Sequence, residues 1–171
     1  MPPNPENPAP PPLPAGCRPL RNPFEYARGH DCFGCSPKNP RGLRLRFFED
    51  GDRVFCRWKP DPLYQSWDGV LHGGIIAAIL DETAGWTVLR RFQRATMTTR
   101  LDVKFLKPAY VTDSFLVATA WLAGRRNGKI VVLHATLADS SGAVCAEADA
   151  DYYVMDDARS RAMGFTACAP E

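Results

Sequence analysis

Net charge is nearly absent from this chain of 171 residues: 21 lysines and arginines stand against 19 aspartates and glutamates, leaving +2. So small an excess gives nucleic acid no footprint, and no such partner is expected. Long hydrophobic runs are missing as well. The longest in the helical region, residues 75–80, is far short of the ~20 residues that a membrane-spanning helix requires, so no membrane contact is expected. No apolar core follows a basic start at the N-terminus, so a secretory signal is not expected either. Proline is scarce in most of the chain: ten of the 16 fall within residues 1–23 and six in all that follows. Residues 1–15 have little to bury and read as a disordered or polyproline segment. The chain therefore divides into a Pro-rich disordered tail over 1–21, a folded body over 22–157 and a loosely held tail over 158–171. Six cysteines in a chain with 45% hydrophobic residues are expected as reduced thiols in a cytoplasm, since a body of this size can build a core without disulfides.

The body opens with a turn-rich stretch over 24–42, containing Gly29, Gly34, Pro37, Asn39, Pro40 and Gly42. Alternation of Leu43, Leu45 and Phe47 with arginines then predicts a strand, and residues 53–58 resume as its hairpin partner after a turn at Asp50-Gly51. Residues 59–71 read as a loop, broken by Pro60, Pro62 and Gly69. Residues 73–89 contain no proline and are apolar almost all round, which predicts one long buried helix. Four strands follow: residues 100–105, ended by Pro108, then 114–122, 129–138 and 143–154. An Asn127-Gly128 turn joins the middle pair. With no alternating βαβ pattern, the class is α+β: an antiparallel sheet of about six strands wrapped around one long central helix, the hotdog arrangement.

Five segments in order carry a family likeness: Asp31-Cys32-Phe33-Gly34-Cys35; Asn39-Pro40-Arg41-Gly42-Leu43; Asp68-Gly69-Val70-Leu71-His72-Gly73-Gly74; Leu80-Asp81-Glu82; and Phe105-Leu106-Lys107-Pro108. Over about residues 32–153 the chain resembles the acyl-CoA thioesterases of the hotdog superfamily, of the phenylacetate-pathway (PaaI-like) and thioesterase-superfamily-member kind. The His-Gly-Gly with an acid nine positions after the histidine is the most specific element. The resemblance implies hydrolysis of an acyl-CoA thioester, with coenzyme A as part of the substrate and no separate cofactor.

Thioester hydrolysis needs donors for the oxyanion, a base or nucleophile, and a seat for the thiol carrier. Gly73 and Gly74 stand where the helix begins, and its first N–H groups lack internal partners and carry the positive end of the dipole. They can polarise a carbonyl, although Gly-Gly before a helix also serves simply as a tight turn. His72 would shape that turn. Asp81 is costly on an apolar helix unless it is paired or used, and Glu82 beside it points about 100° away, so one of the two acids can face solvent. The resemblance places the family acid at Asp81, as general base on water or as nucleophile through an acyl-enzyme anhydride, with Glu82 in reserve. It places the hydroxyl that holds the acid or water at Thr98, or at Thr99 if the register slips by one. Related enzymes often have an amide in the loop before the histidine, which here is Gln65. Arg125, Arg126 and Lys129 at a hairpin, or Arg100, Lys104 and Lys107 on a strand, could meet the carrier's phosphates.

Gly73 and Asp81 are eight residues apart, about 12 Å along a helix, yet both must reach one carbonyl. Two antiparallel copies satisfy that where one cannot. A homodimer with shared active sites is therefore expected, alone or paired into a tetramer. Cys32 and Cys35 have only His30 as a nearby third donor, whereas a structural zinc takes four ligands, so a tight loop without metal is expected. A non-catalytic acyl-CoA-binding or sensing module is the alternative. A hydratase or dehydratase ranks below it, because His72 belongs to the glycine turn and His134 has no acidic neighbour in its motif.

Overall fold

The computed structural model describes residues 13–171, so residues 1–12 of the expected Pro-rich tail lie outside the described residues. The strands are β1 (Arg18–Pro19), β2 (Phe47–Asp50), β3 (Arg53–Trp58), β4 (Thr96–Phe105), β5 (Leu116–Arg125), β6 (Ile130–Ala138) and β7 (Val144–Val154). Among the described residues they form one seven-stranded sheet in the order β1-β2-β3-β5-β6-β7-β4, antiparallel at every pairing. Helix α1 (Gly73–Phe92) lies between β3 and β4 in sequence and packs against β3, β4, β5, β6 and β7. The α+β hotdog arrangement is therefore present, with one strand more than the six expected.

Alternation along the strands explains how the sheet accepts the helix. Leu116, Ala118 and Ala120 on β5, Leu133 and Ala135 on β6, and Ala146, Ala148 and Ala150 on β7 are all buried. Many of these are alanines, and small side chains let the helix approach closely. Ile79, Leu80, Ala84 and Val88 fill the layer from the helix side, each burial of a large aliphatic contributing roughly 1.5–3 kcal/mol. Thr83 and Thr87 are buried too, but their hydroxyls donate to the carbonyls of Ile79 and Thr83 at 2.7 and 3.0 Å.

Three local expectations are corrected. Residues 43–46 do not join the sheet: Arg44 has φ 54°, and the N–H groups of Leu43 and Leu45 donate to Phe33 O and Gly34 O in the preceding loop. The end of the N-terminal segment is held, because β1 pairs with β2 and Leu20 is buried. Residues 158–171 are not loose either. Helix α2 (Asp157–Ala162) is followed by buried Phe165 and Cys168. Gln93, in the left-handed conformation at the end of α1, donates to Cys168 O at 2.8 Å and accepts from Cys168 N–H at 3.1 Å.

Candidate active site

Asp81 projects from the middle of α1 into a cavity of about 150 Å³, walled by Phe24, Gly85, Leu89, Thr96, Thr98 and Tyr152 among others. Its Oδ1 accepts from Thr98 Oγ1 at 2.8 Å and lies 2.7 Å from the Tyr152 hydroxyl, which is also 2.6 Å from the Asp81 carbonyl. Burial, with the Asp81 charge beside it, pushes the Tyr152 phenol far up, so it stays a proton donor. Oδ2 takes no hydrogen bond among the described residues, and it is the oxygen available to chemistry.

A bulge in β4 decides between the two threonines. The register with β7 shifts between Thr98 and Arg100, and Thr98 is left aimed at Asp81. Thr99 turns away and donates to Asp151 O at 3.0 Å. Tyr152 was missed in the sequence: only its inward position on β7 marks it, and its partner is 71 residues away.

The other half of the expected chemistry lies apart. His72 caps α1 and its Nδ1 accepts from Gly74 N–H at 2.9 Å, which occupies one of the two expected oxyanion donors. The Gly73 N–H has no acceptor among the described residues. Gly73 lines a separate groove of about 540 Å³ with Trp67, Leu71, Phe105 and Pro108. A methyl group on Gly73 would stand 3.3 Å from Phe105 Cζ, so glycine keeps the backbone accessible. Neither cavity contains both Gly73 and Asp81.

Glu82 lines the same cavity as Asp81, but its carboxylate is held by other groups. Trp86 Nε1–H donates to its Oε1 at 3.2 Å, and Cys32 Sγ is 3.4 Å from Oε1 and 3.5 Å from Oε2. Burial, then the charge of Cys32, pushes the Glu82 carboxyl up to about 7. A hydrogen bond from Cys35 lowers Cys32 to about 5, and the same bond with burial raises Cys35.

The remaining expected residues have partners within the chain. Gln65 Oε1 accepts from Gly69 N–H at 3.2 Å and braces its own loop. Arg125 stacks on Phe92 with Cζ 5.0 Å from the ring centre. Arg126 pairs with Asp151 at 2.9 Å, and Lys129 lies 3.9 Å from Asp156. His134 does have an acidic neighbour: the β6–β7 register sets Asp149 opposite it, Nδ1 to Oδ1 at 2.8 Å. Asp149 alternates with inward Ala148 and Ala150, so this pair is on the face away from α1 and Asp81.

The sequence model of the thioesterase superfamily matches residues 68–146, which include Gly73, Asp81 and Thr98. AziG of S. sahachiroi shares 24% identity and a TM-score of 0.59, over 66% of this chain and 92% of that one. The E. coli PaaI protein from the phenylacetic acid degradation operon shares 15% identity and a TM-score of 0.59, over 67% of this chain and 81% of that one. A Bacillus halodurans protein crystallised with CoA shares 24% identity and a TM-score of 0.53, over 58% of this chain and 70% of that one. A search of curated proteins returned no match. At these identities the structures show the hotdog fold, and within that fold residues 68–146, around the helix and the acid, are similar to the thioesterase superfamily.

Proposed function

We propose that the chain hydrolyses an acyl-CoA thioester, with Asp81 as the acid that delivers water or attacks the carbonyl itself. The observation that carries this reading is the Asp81 carboxylate, with Oδ1 held by two hydroxyls and Oδ2 left open. Held this way, the carboxylate is oriented before substrate arrives. The Gly73 N–H at the start of α1 would polarise the thioester carbonyl. Trp67, Phe105 and Leu106 line the groove beside it and are exposed, which suits an apolar acyl group. The CoA carried by the Bacillus halodurans relative supports the same carrier here.

The active unit in this reading is a dimer. Strand β4 is the edge of the sheet, and ten residues of it lie without a partner on one side among the described residues. Phe105 at one end of β4 lines the groove with Gly73, and Thr98 near the other end donates to Asp81. Antiparallel pairing of two β4 edges about a point between Leu101 and Asp102 sets Phe105 opposite the partner's Thr98. The helix start of one chain then meets the acid of the other. Arg125, Arg126 and Lys129 are exposed at the nearby hairpin and would exchange their internal partners for carrier phosphates.

Release of free thiol from short-chain, medium-chain and aryl acyl-CoAs tests the reading, with Asp81→Asn alongside. Turnover on at least one, lost in the variant, is the expected result. Tight binding of every acyl-CoA without turnover would make the chain a binding module instead.

A further inference from the structure

Glu82, Cys32 and Cys35 take no part in the proposed hydrolysis, yet the fold draws them together. One donor atom from each lies within 4.8 Å of the others. Counting donors inside the loop alone left a zinc ion short of ligands, because Glu82 comes from α1, 50 residues along the chain. We propose that Cys32, Cys35 and Glu82 bind one Zn²⁺ ion, with His30 as the fourth ligand, pinning the 30–36 loop to α1 beside Asp81.

The separations between Cys32 and Glu82 are those that a tetrahedral zinc centre requires. Zinc bonds of ~2.3 Å to sulfur and ~2.0 Å to nitrogen or oxygen give ligand separations of about 3.5 Å between sulfur and oxygen or nitrogen. Cys32 Sγ is 3.4 and 3.5 Å from the two Glu82 oxygens, and Cys35 Sγ is 3.9 Å from His30 Nε2. His30 stands outside the three-donor cluster, within reach of Cys35 alone, and its ring would have to turn toward Cys32 and Glu82 to complete the set.

The surroundings are built for such a centre. Cys35 N–H points at Cys32 Sγ at 3.5 Å, and Asn22 Nδ2 donates to Cys35 Sγ at 3.7 Å; both favour thiolate sulfur. Trp86 Nε1–H orients Glu82 from the far side, as outer donors do for metal-bound carboxylates. Gly34 lets the loop close over the carboxylate, since a Cβ there would collide with the Glu82 side chain. Two thiolates and one carboxylate against a dication leave a net charge of −1, and any thiol proton present is released on binding.

The ion would reach the reaction site through packing. His30 stacks on Phe24 with ring centres 5.5 Å apart, and Phe24 walls the Asp81 cavity. Ordering His30 therefore orders that wall.

Titration of the reduced, chelator-treated protein with Co²⁺, followed by Zn²⁺, tests the proposal. Saturation at about one equivalent, with thiolate-to-cobalt charge-transfer absorption that Zn²⁺ abolishes, is expected. Cys32→Ser and Glu82→Gln should each weaken binding by about tenfold or more. No charge-transfer band in wild type overturns the proposal, as does freshly purified protein that carries no zinc and a Cys32–Cys35 disulfide. The titration reads metal and not turnover. A chain that binds zinc but cleaves no thioester overturns only the hydrolase reading, and a metal-free hydrolase overturns only this one.

Discussion

Asp81 has two unequal oxygens, and the proposed reaction depends on the difference. Thr98 and Tyr152 both address Oδ1, which leaves Oδ2 for water or substrate. Replacing Asp81 with asparagine keeps the shape and removes the charge, and should lower kcat by about 10²–10⁴-fold while thiol-release assays show KM little changed. Tyr152→Phe removes a hydrogen bond to a charged group, worth about 1.5–3 kcal/mol, so kcat should fall roughly 10–100-fold with the fold intact by circular dichroism. An equal loss in Thr99→Val would contradict the bulge-based choice of Thr98. An acid on an apolar helix stands out in a linear sequence, and so does Gly-Gly ahead of that helix. Tyr152 does not, because its partner is set by the register of β7 against the helix. Nor does the threonine that meets Asp81, which a one-residue bulge determines.

At the level of elements, alternation located the strands and the missing proline located the helix. Contacts between distant segments were not legible. Residues 43–46 alternate like a strand, but Arg44 at positive φ sends their hydrogen bonds into the cysteine loop. The C-terminal segment looks loose by composition, yet Gln93 ties it to the end of α1. Removing residues 158–171 should therefore lower the melting temperature by several degrees, since burial of Phe165 alone is worth roughly 1.5–3 kcal/mol; a thermal scan reads this directly.

Glu49 links three elements: it lies on β2 and pairs with Arg18 of β1 and with Arg90 of α1, the latter at 2.6 Å. Burial alone would raise its carboxyl, but the two guanidinium groups outweigh it and hold it below its ordinary value. The linked stability is thus present above the ordinary glutamate range and fades as pH falls through the depressed folded value. Glu49→Gln should melt several degrees below wild type at pH 7, with the gap closing as pH falls below the ordinary glutamate range. A gap that persists at low pH would show that the ion pairs are not its source.

The whole molecule is one sheet wrapped around one helix, with an open edge. The proline split in the sequence marked where folding begins only approximately, since Arg18–Pro19 already pairs with the sheet. The same chain has the helix start and the acid in separate cavities, which the 12 Å spacing along α1 anticipates. A site divided between two chains can be rebuilt from two broken ones. Asp81→Asn supplies an intact helix start, and Gly73→Val, blocked against Phe105, supplies an intact acid. The two inactive proteins should be unfolded together, refolded into mixed dimers and assayed for thiol release from an acyl-CoA. Random pairing gives hybrids with one whole site each, and turnover should return to about a quarter of the wild-type value. No recovery in a preparation shown to contain mixed dimers would contradict the shared site.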